Sequence, residues 1–436
     1  MQPLPGFRDF LPNDCAVRNY IFERWREVAR RYGFVEWDGP VLEPTDLYTK
    51  KSGPEIVAQL FNFIDKGDRE VAMRPELTPT LARVVAAHHR EFKKPLKWFS
   101  IGQFFRYEKQ QRGRLREHFQ LNCDIIGEKQ IDADVELVCL AIDVLRSFGF
   151  TENDFFVRLN ERLAWADYFA EKGGDILRVN EFYHVIDKID RQPREVTETK
   201  LRELRMNPRD VWNFIENPSW HSGFFAGFKD LLAERGMDKF VQFDPTIVRG
   251  LDYYTGVVFE IFDRQRKLRA IAGGGRYDNL IEQLSAGAVS MPALGFAMGD
   301  VVLGELINEV PDARLQMHNE SQWDLWIDIY VVIAKEERRG SAAAIIQALR
   351  DRYCPALRHN YRVSYSLTAE KVSKQFQNAE ALGARVAVLI GDEWPDVKVK
   401  ILHTREEKRI PNPQLFDHLQ SLMQTAVRGD QFIEEL

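Results

Sequence analysis

Residues 105–127 read FRYEKQQRGRLREHFQLNCDIIG, and this segment carries the clearest indication of a fold in the chain. Bulky β-forming residues on either side of a charged, glycine-containing centre predict two antiparallel strands, Leu96–Tyr107 and Phe119–Ile126, joined by a basic tip. Arginine guanidinium groups bind phosphate oxygens in pairs, so the tip suits a phosphate-rich ligand. A solvated tip with ordinary surface arginines explains the pattern equally well at this point.

Helical periodicity surrounds this hairpin. Residues 12–32 have apolar side chains at helical spacing and are followed by Gly33, and residues 132–148 repeat the pattern before Gly149. Residues 160–240 are richer in charge and predict an inserted helical segment. These helices and the hairpin strands together predict an α/β fold class.

The C-terminal part of the chain has a different pattern. Residues 308–323 are polar without a clear period, which predicts a linker. After it, apolar β-rich runs alternate with helical ones in the order β-α-β-α-β. This alternation predicts a second, small α/β domain with an open and largely parallel sheet.

Composition limits the class of protein. A chain of 436 residues is too long for a single hydrophobic core, so we expect more than one domain. Its content of 44% hydrophobic and 29% charged residues is typical of globular domains. Sixty Lys and Arg against 66 Asp and Glu give a net charge of −6, which excludes a polybasic protein. It does not exclude a nucleic-acid partner, because basic patches are local.

Cysteines and terminal sequence indicate where the protein works. The four cysteines are scattered without CxxC spacing, so we expect no zinc site and a reducing compartment. The first residues lack the apolar core of a secretory signal, and no uncharged run reaches the length of a membrane span. We expect a cytoplasmic protein with no membrane partner.

Three further segments combine charge with tight turns. They are MRPELT at 73–78, IVRGLDYYTGVVFE at 247–260 and GGGRYD at 273–278. Each has a plain structural explanation: a helix-start acid, strand packing or a tight turn. The glycines at 273–275 match neither a Walker loop nor a dinucleotide fingerprint.

Together, and in this order along nearly the whole chain, the segments resemble the class II histidyl-tRNA synthetase family. GFRDFLP at 6–12 resembles its N-terminal signature, GFVEWDGPVLEPTDLY at 33–48 its motif 1, and residues 105–127 its motif 2. RGLDYYTG at 249–256 and GGGRYD are similar to two peptides particular to the histidine enzymes. LNERLAW through VIDKIDR is similar to the family's insertion, and residues 369–393 to its anticodon-binding domain.

The resemblance implies a class II catalytic domain at 1–322, built on an antiparallel sheet flanked by helices, with a helical insertion at about 162–240. It also implies an anticodon-binding α/β domain at 324–436. It implies a ligase that activates L-histidine with ATP and transfers the histidyl group to tRNA(His). Mg²⁺ would accompany ATP, without a metal site made by protein alone. A homodimer follows from class II membership and from Pro40.

The resemblance also implies site residues. Arg106 and Arg249 would act in catalysis on the α-phosphate of ATP. The residues implied for histidine binding are Glu76, Leu77, Thr78, Gln120, Asp124, Tyr253, Tyr254 and Tyr277. Those implied for ATP binding are Arg106, Glu108, Arg114, Arg116, His118 and Phe119.

Two positions depart from the family pattern. Motif 3 normally carries an acid and an ATP-binding arginine where this chain has Val301 and Val302, and His118 stands in motif 2 where an aromatic residue is usual. Arg112 or Arg114 could replace the missing cation. His118 could stack on adenine or be an exposed strand residue.

An alternative interpretation is a non-catalytic relative, the histidine-sensing regulatory subunit of ATP phosphoribosyltransferase. A third is a synthetase-like domain that acts only as an RNA-binding sensor. The missing motif 3 arginine favours both alternatives slightly. The C-terminal α/β domain argues against the regulatory subunit, and the intact RGLDYYTG and FRYE segments argue against both.

Overall fold

The computed structural model describes residues 2–49, 56–216, 222–322 and 325–433. The chain divides into two compact units, Met1–His318 and Asn319–Leu436. The predicted boundary at residues 323–324 lies outside the described residues. No described helix is both long and apolar enough to cross a membrane.

An eight-stranded sheet forms the centre of the first unit. Its six central strands pair antiparallel, as predicted, and a short parallel strand pairs at each edge. The hairpin formed by Leu96–Phe105 and Glu117–Ile126 contributes its two longest strands. The order across the sheet is Val35–Glu36, Leu96–Phe105, Glu117–Ile126, Ala293–Gly299, Ala272–Arg276, Val257–Asp263, Phe155–Glu161 and Val241–Phe243.

One face of this sheet carries the main core. Helices Pro12–Arg31 and Ile131–Arg146 pack against it through fully buried side chains such as Trp25 and Val138. Alternate residues of the hairpin strand Glu117–Ile126, such as Leu121 and Cys123, point into the same core because successive side chains in a strand face opposite sides. The side chains between them therefore point to the opposite face of the sheet.

Smaller elements complete the first unit. Leu42–Pro44, Glu70–Met73 and Phe61–Ile64 form a three-stranded antiparallel sheet. The predicted helical insertion is present, with Arg162–Glu171, Val179–Asp187, Arg194–Glu203, Pro208–Glu216 and Ser222–Ala233. Other α-helices among the described residues are Asp46–Thr49, Thr78–His88, Leu280–Leu284 and Asp300–Glu309, followed by Pro311–Gln322, which continues beyond His318.

The segment 308–323 contains the division between the two units, as a linker would, but the expected lack of regular structure is wrong. Pro311–Gln322 is a helix, and it begins directly after Asp300–Glu309. Its sequence is polar, but Ala313 and Met317, four residues apart, are buried in the main core. Ala313, Met317 and Ser321, spaced four residues apart, form its narrow buried face, and the polar residues between them give the sequence its linker-like character.

The second unit is built on a five-stranded sheet. Its order is Val363–Tyr365, Ile329–Ile333, Val386–Ile390, Val397–Ile401 and Glu407–Ile410. The first three strands are parallel, as predicted, and the last two pair antiparallel. Tyr353–Cys354 and His359–Asn360 form a small two-stranded sheet. The helices are Arg339–Arg350, Val372–Ala381 and Leu415–Ile433.

Candidate active site

A cavity of about 730 Å³ opens on the face of the large sheet that the core helices leave uncovered. Alternate residues of the hairpin strand, from His118 to Asp124, line it. Most of the residues that the resemblance implies come together in this cavity. They are Glu76, Thr78, Arg106, Glu108, Arg114, His118, Gln120, Asp124, Arg249, Tyr253, Tyr254 and Tyr277.

A buried carboxylate marks one part of the cavity. Tyr277 donates a hydrogen bond of 2.5 Å to Oδ1 of Asp124, and both residues are buried. Gly295, on the neighbouring strand, faces Asp124, and a Cβ there would lie 1.9 Å from Asp124 Oδ1. Burial raises the pKa of Asp124 to about 7, while the Tyr277 hydrogen bond acts in the opposite direction.

A second carboxylate lies at the start of helix Thr78–His88. Tyr253 donates a hydrogen bond of 2.8 Å to Oε2 of Glu76, which follows Pro75 and is also buried. The ring of Tyr253 lies 5.0 Å from that of Tyr254 and meets Tyr277 edge-on at 5.9 Å. The three phenols therefore join the two acids into one polar pocket inside apolar surroundings.

Both tyrosines of RGLDYYTG line the cavity. A strand that began at Tyr253 would send the two phenols to opposite faces of the sheet. The strand instead begins at Val257, and the tyrosines lie in the preceding turn. A turn relaxes the alternation of a strand, so adjacent side chains can share one cavity.

Arg249 lies on the cavity floor. Its backbone has φ of 60°, and its guanidinium forms an ion pair with the buried carboxylate of Glu260. A Cβ on Gly273 would lie 2.5 Å from Arg249 Nη1, so only glycine leaves room for the guanidinium across this strand. Burial opposes the charge of Arg249, but Glu260 outweighs it and raises the pKa of the arginine above its ordinary value.

The hairpin tip supplies further cations. Arg106 follows the first strand, and its Nε donates to the backbone oxygen of Pro75 at 2.9 Å, which ties the tip to the Glu76 segment. Arg114 forms an ion pair with the buried Glu108. These contacts fix the direction of two guanidinium groups before any ligand is present.

His118 is the aromatic group of the cavity near the tip. Burial, with Arg106, Arg8 and Arg114 nearby, lowers the pKa of His118 to about 3. The imidazole is therefore neutral at pH 7. Its side chain lines the cavity, so His118 is not an exposed strand residue.

Three implied residues do not line the cavity. Phe119 points into the opposite face of the sheet, where its ring packs against Phe10 and Phe22. Arg116 stacks on Tyr107 with its Cζ 4.2 Å from the ring centre and donates to the backbone oxygen of Glu108. The side chain of Leu77 is buried outside the cavity.

The motif 3 position is apolar in three dimensions as well. Val301 and Val302 line the cavity, whereas Arg112 does not. The guanidinium of Arg112 pairs with Glu305 at 2.9 Å and Glu309 at 2.5 Å on helix Asp300–Glu309. Of the two cations suggested as replacements, only Arg114 reaches the cavity.

The structure adds cavity residues that sequence reasoning missed. Glu260 reads as an ordinary strand residue, Arg269 lies in the loop between two strands, and Arg191 belongs to the helical insertion. Glu260 alternates with the buried Phe259 and Ile261, and this alternation was the available signal. Neither Arg269 nor Arg191 belongs to a sequence pattern that indicates a place in the cavity.

The cavity thus combines two chemical environments. Buried acids and phenols suit a ligand with ammonium and N–H groups, and several arginines suit an anionic ligand. No group of three or more His, Cys, Asp or Glu side chains that could hold a metal ion occurs within the ranges that the structure describes. Glu108 and Glu260, the acids among the arginines, are each paired with one of them.

Comparison with known families agrees with this arrangement. The family model for histidyl-tRNA synthetase matches residues 6–167 and 226–300, together just over half of the chain. The segment between the two matches falls within the helical insertion. The model for an anticodon binding domain matches residues 328–422, within the second unit.

Curated relatives cover almost the whole chain. A histidine–tRNA ligase of Opitutus terrae is 41% identical over 95% of this chain and 97% of its own length. The chloroplastic and mitochondrial histidine–tRNA ligase of Arabidopsis thaliana is 37% identical over 94% of this chain and 85% of its own.

Solved structures share the fold. The histidyl-tRNA synthetase of Nostoc superposes with a TM-score of 0.73 at 20% identity and covers 96% of this chain and 99% of its own. The apo enzyme of S. aureus gives a TM-score of 0.68 at 23% identity, over 96% and 100%. With the family model and the relatives in agreement, the chain belongs to the histidyl-tRNA synthetase family.

Proposed function

We propose that this protein is a histidine–tRNA ligase that forms histidyl-adenylate in the cavity and then transfers the histidyl group to tRNA(His). The observation that carries the proposal is the cavity itself. It places two buried acids with three phenols beside a set of oriented arginines, in a chain whose curated relatives are histidine–tRNA ligases.

In the first step the carboxylate of histidine attacks the α-phosphorus of ATP. A bond forms between a carboxylate oxygen and phosphorus, the bond to the bridging oxygen breaks, and pyrophosphate leaves with that electron pair. The nucleophile is already ionised at pH 7, so no strong base is required. Catalysis then rests on positioning and on stabilising negative charge at the α-phosphate.

Arg106 and Arg249 are assigned this charge-stabilising role. Arg106 is held by the Pro75 carbonyl, and Arg249 by Glu260 above Gly273, so neither group needs a large reorganisation when ATP binds. They approach from different segments of the chain, the hairpin tip and the turn before strand Val257–Asp263. This supports a clamp on the phosphate.

Histidine recognition is assigned to the polar pocket. Glu76, with Thr78 and Gln120, would receive the α-ammonium group. Asp124 and Tyr254 would bind the imidazole nitrogens, with Tyr253 beside them and Tyr277 holding Asp124 in place. An apolar side chain would leave these buried groups without partners, which discriminates between substrates by roughly 10⁴–10⁵.

The remaining ATP contacts are assigned to Glu108, Arg114 and His118. The neutral ring of His118 offers adenine a stacking surface, and the Glu108–Arg114 pair lies beside it in the lining. Mg²⁺ would arrive on the ATP phosphates and neutralise part of their charge. Because Glu108 and Glu260 are already paired with arginines, phosphate and water oxygens would supply most of its ligands.

In the second step a hydroxyl of the 3′-terminal ribose of tRNA attacks the activated carbonyl carbon. The bond from that carbon to the phosphate oxygen breaks, AMP leaves with the electron pair, and the hydroxyl proton is released. The anticodon-binding model matched in the second unit supports binding of tRNA(His) there. We further propose a homodimer, as in class II enzymes, and a cytoplasmic protein. The alternative of a regulatory subunit of ATP phosphoribosyltransferase is disfavoured by that same second unit.

Charging of tRNA tests the proposal. The purified protein is incubated with ATP, Mg²⁺, radiolabelled histidine and a tRNA(His) transcript, and acid-precipitable label is counted. We expect label on tRNA(His), with none on a transcript for another amino acid. A protein that binds histidine but charges no tRNA would support the regulatory alternative instead.

A further inference from the structure

Arg269 is a cavity arginine that has no role in the assignments above. Arg269 lies in the loop between strands Val257–Asp263 and Ala272–Arg276, and its side chain lines the cavity beside Val301 and Val302. A methyl group built on Gly113 of the hairpin tip would lie 3.2 Å from Val302 Cγ2 and 3.9 Å from Arg269 Cδ. Arg269 therefore reaches the region where motif 3 supplies no cation.

The loop that carries Arg269 is firmly anchored. The buried carboxylate of Asp263 accepts hydrogen bonds from the backbone nitrogens of Lys267 at 3.0 Å and Leu268 at 2.9 Å. The side chain of Leu268 is part of the main core, and Arg264 donates to the backbone oxygen of Glu152 at 2.6 Å. The buried side chain of Leu268 and the hydrogen bonds to Asp263 therefore fix the backbone position of the next residue, Arg269.

The charge of Arg269 is available to a ligand. Its guanidinium donates to the side-chain oxygen of Gln111, a neutral partner on the hairpin tip. Other arginines around this end are matched with acids: Arg114 with Glu108, Arg249 with Glu260 and Arg112 with Glu305. Within the described ranges, no carboxylate forms an ion pair with Arg269.

We propose that Arg269 binds the β- or γ-phosphate of ATP and takes over the contact that motif 3 lacks in this chain. The inference rests on the proposed function for the identity of the nucleotide. A guanidinium held by a neutral amide keeps its full charge and its paired donors for phosphate oxygens. Gln111 holds the group in the cavity until the triphosphate binds.

The test compares two charge-removing variants of the same loop. Arg269→Gln removes the proposed phosphate contact. Arg266→Gln is the matched control, because Arg266 is exposed, does not line the cavity and lies over the ring of Phe156 at 5.5 Å. Dissociation constants of ATP and AMP are measured for both variants and the unaltered protein by isothermal titration calorimetry.

We expect Arg269→Gln to weaken ATP binding about tenfold to a hundredfold, the usual range for a lost charged hydrogen bond. AMP lacks the two outer phosphates, so its affinity should change less than about twofold. The ATP affinity of Arg269→Lys should lie between that of the unaltered protein and that of Arg269→Gln. Arg266→Gln should bind both nucleotides as the unaltered protein does.

Three outcomes would overturn the inference: unchanged ATP binding in Arg269→Gln, an equal loss of ATP and AMP, or an equal loss in the control. Failure of the proposed function is recognised separately. An unaltered protein that binds ATP but activates no histidine would refute the ligase, while the comparison of ATP with AMP would still decide the role of Arg269.

Discussion

Tyr277 donates a hydrogen bond of 2.5 Å to Asp124, and the two groups are buried together on the cavity face of the large sheet. The bond fixes the carboxylate oxygen, while the missing side chain of Gly295 leaves the room that the carboxylate occupies. A buried acid held in one orientation is suited to bind a substrate N–H group. The same burial makes its charge unfavourable for folding.

The first prediction follows from that conflict. The pKa of Asp124 is raised from an ordinary 3.8 to about 7, so the folded protein holds the proton more tightly than the unfolded chain. The destabilisation is absent below pH 4, grows between pH 4 and 7, and reaches at most about 4 kcal/mol above pH 7. Asp124→Asn should therefore raise the melting temperature at pH 8 more than at pH 5.

The gain in stability should be accompanied by a loss of function. The amide introduced by Asp124→Asn cannot offer a charged acceptor, so histidine binding should weaken at least tenfold, the scale of a hydrogen bond to a charged group. Thermal unfolding without ligand and calorimetric titration with histidine give the two results. If the difference in stability between Asp124→Asn and the unaltered protein were the same at pH 5 and pH 8, the raised pKa of Asp124 would be contradicted.

The second prediction concerns Gly295. In Gly295→Ala the new Cβ must displace the Asp124 carboxylate, since it would lie 1.9 Å from Oδ1. Histidine affinity should fall at least tenfold. The control is Gly304→Ala, in helix Asp300–Glu309, where a Cβ meets nothing within 4 Å. Equal histidine affinity in the two variants would show that histidine binding does not depend on the position of the Asp124 carboxylate.

The third prediction separates chemistry from binding at Arg249. Arg249→Lys keeps a cation opposite Glu260 and so avoids an uncompensated buried acid, but it loses the guanidinium fork. The rate of adenylate formation should fall roughly 10²- to 10³-fold, with little change in histidine affinity. Single-turnover kinetics measure the first quantity. An unchanged rate would remove Arg249 from the phosphate clamp.

Strand alternation explains how much of the site the sequence could predict. The hairpin and its cavity-facing residues follow from β-forming residues with a period of two, and this places His118 and Asp124 on the same face. The same period places Phe119, which the resemblance had implied for ATP binding, on the opposite face, where it packs against Phe10 and Phe22. Local geometry corrects the resemblance at that position.

Strand alternation does not predict the position of a loop residue or the presence of a helix with few apolar side chains. Arg269 is placed by Asp263 and Leu268, contacts that depend on the folded core and leave no periodic signal. Helix Pro311–Gln322 buries only a few side chains, such as Ala313, so its polar sequence resembled a linker. In both cases tertiary contacts decide the structure.

The fourth prediction concerns tRNA. The chain carries a net charge of −6, so contacts to the phosphate backbone must come from local lysines and arginines. The logarithm of the association constant for tRNA(His) should fall linearly as the logarithm of the salt concentration rises. Filter binding between 50 and 200 mM salt, about the range where such losses are large, measures the slope. A flat line would refute contacts made mainly to phosphates.

Histidine-dependent exchange of labelled pyrophosphate into ATP measures whether the cavity activates histidine. It follows the first step alone, in the cavity that the acids, phenols and arginines form, and requires no tRNA. We predict exchange with saturating histidine, ATP and Mg²⁺, and background levels with the other amino acids. No exchange under these conditions, in a protein that is folded and binds ATP, would contradict it.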